Sequence, residues 1–394
     1  VSDANRLSDD FAHHPILPAL LGLVEPQRVE LRPNGAVAVR GKLLADPEAV
    51  YQPLRERCER LGFTPFLLDR DDGVEVLAVP GISEHRPLRW GLNLALFVAT
   101  VFTVLLTGAV SAVSTQLVAA GLTPEQAAAQ VYGRIVQQPL LLLTGLPFAA
   151  TLLGILGAHE MGHFVVSRRR GAPASLPYFI PLPPGFSFTG TLGAVIVQRE
   201  PFENRRVLLE VAIAGPLAGL VVAIPLLFYG LATSPVGLPP TDGVYFQEGN
   251  SLLYAAAKYL VFGEWLPAGG RDVQLNDIAF GAWIGLLVTM LNLLPVGQLD
   301  GGHVAYALLG RRAEYLAYAT LVLFLVLGLL GVFGIYGSSS WLVWVILIGL
   351  MGPRHPPPLN DVLRLKPVHI ALGILGLVLF VVLFMPSPLV AVGG

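Results

Sequence analysis

Charge is what this sequence has least of. Only 13% of its 394 residues are Asp, Glu, Lys or Arg, against 54% hydrophobic, whereas soluble domains carry about 25% charged residues. With a mean hydropathy of +0.65, the chain has too few charges to cover a water-facing surface. Cysteine is almost absent: Cys58 stands alone, which excludes an internal disulfide and any cysteine-built zinc or iron–sulfur site. The formal net charge of −2 gives no reason to expect a nucleic-acid partner. The opening stretch VSDANRLSDDF is polar and lacks a basic-then-apolar signal pattern, so placement in the bilayer is expected to come from later segments. No strong internal repeat and no low-complexity tract is visible.

What is present is a series of apolar runs, several long enough to cross a hydrocarbon layer of roughly 30 Å, which takes about 20 helical residues. The expected spans are 90–119, 137–167, 206–231, 276–298, 314–336, 339–352 and 367–387, the sixth short enough to be re-entrant. Residues 1–85 read differently. VELRPNGAVAVRGKLL forms two strands about Asn34-Gly35. DPEAVYQPLRERCERLG forms a helix with Asp46 as N-cap, Pro47 in its first turn and Gly62 at its C-cap. FTPFLLDRDDGVEVLAVPG forms a second hairpin turning at Asp72-Gly73. The fold class is therefore an all-α polytopic membrane protein of about six or seven transmembrane helices with a small N-terminal α+β soluble domain. The expected divisions are 1–85 soluble, 86–352 membrane core, and 353–394 a cytoplasmic connection and last span. The soluble domain shows no clustered catalytic set and reads as a docking or regulatory module.

Basic residues orient the spans. With the N-terminus cytoplasmic, the cytoplasmic connections hold Arg86, Arg89, Arg168, Arg169, Arg170, Arg199, Arg205, Arg206, Arg311, Arg312, Arg354, Arg364 and Lys366, and the opposite ones only Arg134, Lys258 and Arg271. Two connections are unusual. Residues 171–204 are apolar yet rich in Pro and Gly, which break helices, while TLGAVIVQ has strand character. Apolar non-helical backbone at a membrane must be buried in protein or line a cavity, so this stretch reads as a re-entrant β-hairpin. Residues 250–265 read as an interfacial helix capped by Asn250 or Ser251.

The chemistry sits in LLGILGAHEMGHFVVSRRR. His159 and His163 lie four residues apart, about 40° round a helix and one turn along it, so both rings reach one metal ion. Glu160 projects about 100° away, near enough to take a proton from water without being a ligand. Ionisable groups at membrane depth are costly and functional by default. Gly154, Gly157, Ala158 and Gly162 are expected to admit a close neighbouring helix.

Zinc needs a third protein ligand. The longer soluble-protease pattern fails, because positions 166 and 169 hold Val166 and Arg169 rather than Gly and His. The first Glu downstream is Glu200, too far for the pattern with a Glu ligand about 20 residues on. MLNLLPVGQLDGGHVAYALLG supplies the next candidate: Asp300, an acid at the inner edge of an apolar helix, after Pro295 and Gly297 break it. Alone, Asp300 also reads as a helix cap; beside an incomplete histidine pair it reads as a ligand at matching depth. His303, a turn further, reads as supporting that ligand or as a polar helix end. His13, His14, His85, His355 and His369 read as surface residues.

HEMGH (159–163) together with NLLPVGQLDGG (292–302) resembles the site-2 proteases, the membrane-embedded zinc proteases of peptidase family M50, over roughly residues 90–350. GTLGAV (190–195) and AGPLAGL (214–220) are similar to stretches between the family's motifs. The resemblance implies one zinc ion held by His159, His163 and Asp300, Glu160 as catalytic base, and Asn292 orienting the scissile carbonyl. It implies intramembrane proteolysis of a single-span membrane protein, in a bacterial plasma membrane or a thylakoid-type membrane. No PDZ-like insert and no CBS pair is visible, which is most similar to the branch shared by cyanobacteria, other bacteria and plastids. Gly190, Thr191, Leu192, Gly193, Ala194 and Val195 are expected to offer a free strand edge to the substrate backbone. A transporter or an inactive scaffold of the same fold is the competing reading; a transporter would show paired broken helices in two related halves, and none is visible.

Overall fold

The structure, a computed structural model, describes residues 14–70, 73–82, 90–238 and 245–392. The opening segment up to residue 13, Asp72 of the expected second turn, His85, Arg86 and Arg89 lie outside the described residues.

The N-terminal part folds as α1 (Ile16–Leu20), β1 (Val24–Leu31), β2 (Val37–Leu43), α2 (Pro47–Glu59), β3 (Phe63–Arg70) and β4 (Gly73–Pro80). The four antiparallel strands run in the order β1-β2-β4-β3. Asp46 caps α2 by accepting the Glu48 N–H, as its residue type dictates. The C-cap is Arg60 rather than Gly62, which follows two residues on at φ +81°. One face of the sheet packs Val39, Leu67, Val76 and Ala78 against Tyr51, Leu54 and Cys58 of α2.

The remainder is mostly helical: α3 (Trp90–Ala119), α4 (Pro124–Gln137), a 3-10 stretch (Pro139–Gly145) leading into α5 (Leu146–Arg169), the strands β5 (Tyr178–Pro181) and β6 (Thr191–Val195), α6 (Arg205–Ala232), β7 (Val236–Gly237), β8 (Tyr245–Glu248), α7 (Leu252–Phe262), β9 (Asp272–Val273), α8 (Asp277–Asn292), α9 (Asp300–Leu309), α10 (Ala313–Val332), α11 (Ser340–Met351), α12 (Pro367–Leu383) and β10 (Leu389–Val392). Among the described residues four helical runs are long and apolar enough to cross a membrane: Trp90–Ala119, Pro139–Arg169, Arg205–Ala232 and Asp300–Val332. The last is interrupted at Gly310, at φ +58°, so its crossing length belongs to the 20 residues of α10, about 30 Å at 1.5 Å per residue.

Three features differ from expectation. Residues between the expected spans 90–119 and 137–167 form α4, started by a capping box of Thr123 and Gln126 with Pro124 in the first turn. The expected span 276–298 stops at Asn292, because Pro295 carries no N–H to continue the ladder. Of the three glycines expected to admit a neighbouring helix, Gly162 shows one, its Cβ position lying 2.5 Å from the Ala214 carbonyl oxygen. Gly154 and Gly157 face open space.

The membrane core is built on α5, α6 and α8, which pack on one another around fully buried Leu152, Ala223, Trp283, Leu286 and Met290. At one end the N-terminal sheet domain is fastened to this core by the connection before α12. Leu67 of β3 donates its N–H to the Leu359 carbonyl (2.7 Å) and accepts the Asp361 N–H (2.8 Å), while Leu359 and Asn360 donate to Phe202 and Glu203. Asp361 takes Arg205 (2.7 Å) and the Tyr306 hydroxyl (3.1 Å), and Arg206 reaches Glu48 at 3.1 Å. At the other end β10 pairs with β8, and Ser251 caps α7 by accepting the Tyr254 N–H.

Candidate metal centre

α5 carries His159, Glu160 and His163 at 3, 5 and 9% exposure. α8 ends on Asn292. The chain then turns through Pro295 and Gly297 and re-enters a helix at Asp300. Gly301 allows that turn to close: a Cβ there would lie 1.9 Å from the Leu293 carbonyl oxygen. Asp300 Oδ2 thereby comes within 3.2 Å of both His159 Nε2 and His163 Nε2, and the two ring nitrogens are 3.1 Å apart. Among the described residues these three form the group able to hold a metal ion.

The donor chemistry fits a cation. His163 Nδ1–H donates to the Val211 carbonyl at 2.7 Å, which leaves a lone pair on Nε2 of the neutral ring. Two ring lone pairs and a carboxylate oxygen then converge on one point, an arrangement a positive ion satisfies. Ligands about 2.0–2.1 Å from a tetrahedral zinc lie roughly 3.3 Å from one another, close to the distances found. Two histidines and one carboxylate leave the fourth position open for water or substrate.

Asn292 Nδ2 lies 3.3 Å from His159 Nε2, beside the donor triangle. Glu160, Asn292 and the triangle share one cavity of about 880 Å³, which is also lined by Ala194 to Val197 and by residues of the N-terminal sheet. β6 pairs only with β5, so Thr191–Val195 has one edge without a strand partner among the described residues. Gly190 is anchored at the hairpin's end, its carbonyl accepting Thr103 Oγ1 of α3 at 2.7 Å.

Sequence reasoning missed several members of the site. Gly215 on α6 makes room for the His163 ring: a Cβ there would lie 2.1 Å from Nε2. Val211, four residues earlier, orients that ring. Gly215 falls within AGPLAGL (214–220), but neither residue's role is written there, because an apolar helix gives no sign of which residue meets a ring about 50 positions away. His355 and His369 are not surface residues. His369 is 6% exposed and bonds to Glu210 at 3.0 Å. His355 lines the cavity and lies 2.5 Å from His303, with its ring stacked on Tyr306.

A helical membrane protein with a buried two-histidine, one-carboxylate centre is what fold and site define together. The chain matches peptidase family M50 over residues 147–267 and 270–330, a stretch that holds all three residues of the donor triangle. It is 30% identical to the probable zinc metalloprotease EGY2, chloroplastic, of Oryza sativa subsp. indica over 296 residues, 71% of this chain and 49% of the relative. It is 36% identical to EGY2 of Arabidopsis thaliana over 180 residues (44% and 30%) and 32% identical to EGY1 of the same plant over 174 residues (43% and 30%). The chain thus spans about half the length, or less, of the curated relatives it matches.

Proposed function

We propose that this chain is an intramembrane zinc endopeptidase that hydrolyses peptide bonds of single-span membrane proteins within or beside the bilayer. The observation that carries the reading is the convergence of His159, His163 and Asp300, from two segments 137 residues apart, on one point in a cavity that also holds Glu160. His159, His163 and Asp300 are the ligands in this reading. Zinc, when bound, supplies Lewis acidity that lowers the pKa of water and steadies negative charge on an oxygen. Glu160 is the proton carrier: its carboxylate takes a proton from the attacking water and hands it to the leaving amine. Asn292 presents its amide to the carbonyl of the bond being cut, steadying the oxyanion. Val211 holds the His163 tautomer.

The same reading places seven helices (α3, α5, α6, α8, α10, α11 and α12) in the membrane, with the β5–β6 hairpin re-entering it. Residues 1–85 are the soluble domain, 86–352 the protease core and 353–394 the connection and last helix. The apolar core of the N-terminal sheet, which also takes in Leu359 of the connection, supports a distinct N-terminal unit. The N-terminal domain faces the cytoplasm, or its equivalent in a plastid-type membrane. Support comes from basic residues on its side: Arg205 pairs with Asp361 of the strap, and Arg206 pairs with Glu48 of the docked domain. A substrate helix hides its carbonyls in hydrogen bonds, so it must unwind. The free edge of Gly190, Thr191, Leu192, Gly193, Ala194 and Val195 then pairs with the unwound backbone as an added strand.

The deciding experiment compares membranes holding wild-type chain with membranes holding Glu160→Gln. The variant keeps its zinc and fold and accumulates an uncut single-span protein, because an amide accepts no proton. Cleavage that persists in Glu160→Gln removes the reading, as does undiminished zinc in His159→Ala. Asn292→Ala retains zinc and slows cleavage on the order of 100-fold.

A further inference from the structure

The soluble domain does more than dock. Along β3 and β4 the side chains alternate. Leu67, Val76 and Ala78 turn toward α2, while Phe66, Leu68, Leu77 and Val79 turn the other way and line the cavity that contains His159, Glu160, His163 and Asp300. Phe66 sits directly opposite Leu77, with Leu68 and Val79 diagonal to that pair, so these four form one apolar patch; Glu75, opposite Leu68 and bonded to Arg70, bounds it on one side. That patch needs cover as the opposite face does, and α2 covers only the opposite face. The second face is held over the metal centre by the 359–361 strap and the Arg205–Asp361 pair, and the free edge of the hairpin borders the same space at Ala194 and Ile196.

We infer that this second face is an apolar subsite of the cleavage cleft. It takes apolar side chains of the substrate's unwound segment on the soluble-domain side of the bond being cut. The occupant is a substrate polypeptide because the patch lines the same cavity as His159, Glu160, His163 and Asp300, so an extended chain lying across the metal centre runs along it. A strand paired to β6 presents alternate side chains to either side, one set of which meets Phe66 and Leu77. This rests on the proposed peptidase activity and adds to it what decides which bonds are chosen.

The test uses the full zinc-loaded chain in liposomes and two synthetic single-span peptides. They are identical except for Leu-Leu or Ser-Ser, two to four residues from a helix-breaking centre on the soluble-domain side. Wild type prefers the Leu-Leu peptide, and Phe66→Ser with Leu77→Ser reduces the ratio of kcat/KM between the two peptides by roughly 10- to 100-fold. Leu77→Met, which keeps an apolar contact, retains the preference. Zinc content and unfolding temperature show that each variant is folded. A second arm places benzoylphenylalanine at position 77 in the Glu160→Gln chain, which crosslinks the Leu-Leu peptide, whereas the same group at exposed Glu56 on α2 does not. An unchanged ratio in the double serine variant, no preference in wild type, or equal acceleration of both peptides (the behaviour of a lid) overturns the inference. If wild type cuts neither peptide, the crosslink at position 77 decides: present, the subsite stands and the peptidase reading falls; missing, both fall.

Discussion

Gly215→Ala adds one methyl group, and the structure says where it lands. The new Cβ lies 2.1 Å from His163 Nε2, whereas ordinary contact begins near 3.4 Å, so the ring must retreat by about 1.3 Å. It has little freedom to do so. Its Nδ1–H is tied to the Val211 carbonyl at 2.7 Å, and α5 is pressed on α6 where Gly162 meets Ala214. Ligand positions tolerate roughly 0.2 Å. The variant therefore loses zinc affinity by on the order of 100-fold or more, at or above the effect of removing a supporting partner, and overpacking destabilises the α5–α6 contact by about 1–3 kcal/mol. Gly219→Ala, one turn further along, is the matched control. Its Cβ would stand 3.4 Å from the His159 Cβ, an ordinary contact, and replacing Gly in a helix is stabilising by about 0.5–1 kcal/mol where it fits. Both variants are purified, challenged with a graded chelator and assayed for bound zinc by mass spectrometry and for cleavage. Equal zinc retention in the two variants would refute the placement of His163.

The hairpin edge is tested by proline. Val197 exchanges contacts with Ser175 through both its N–H and its carbonyl, so neighbouring N–H groups alternate toward the open side. Ala194→Pro and Ile196→Pro are expected to keep zinc and cleave poorly, and full cleavage by both contradicts strand addition. For orientation, Cys58 is buried, and burial, with Glu59 adding to it, pushes its thiol up to about 11. Native Cys58 thus resists maleimide at neutral pH. On a Cys58→Ser background, a cysteine at position 242 is labelled from the side opposite the soluble domain, and labelling only from the domain's side reverses the topology. Glu75 is 1% exposed; burial alone would raise its pKa, yet the Arg70 hydrogen bond and the charges of Arg70, Arg32 and Arg40 hold it below the usual 4.5. A carboxylate depressed on folding contributes stability that is complete above about pH 4.5 and is lost as pH falls toward the lower folded value. Glu75→Gln at neutral pH should weaken the sheet by about 1–2 kcal/mol, discounted because Arg70 is 27% exposed. Amide exchange of β3 and β4 in the full chain reads this; unchanged protection in Glu75→Gln would show that the pair adds nothing.

By itself the sequence determined whatever is written at short range. Helical periodicity puts His159 and His163 on one face. A run of about 20 apolar residues states a membrane span. Asp46 and Ser251 announce helix starts through hydrogen bonds that reach two or three residues, as Thr123 does for α4. Asp300 was found by a longer argument, since its charge is unaffordable at that depth without a partner. Only the tertiary structure decided which groups meet. It put Asp300 Oδ2 3.2 Å from both ring nitrogens, set Gly215 against His163, joined His303 to His355 and laid the second face of the N-terminal sheet over the metal centre. Such contacts join segments tens to hundreds of positions apart. The residue types involved, a glycine in an apolar helix or leucines on a strand, are what packing anywhere in the chain would also select, so no local pattern distinguishes them.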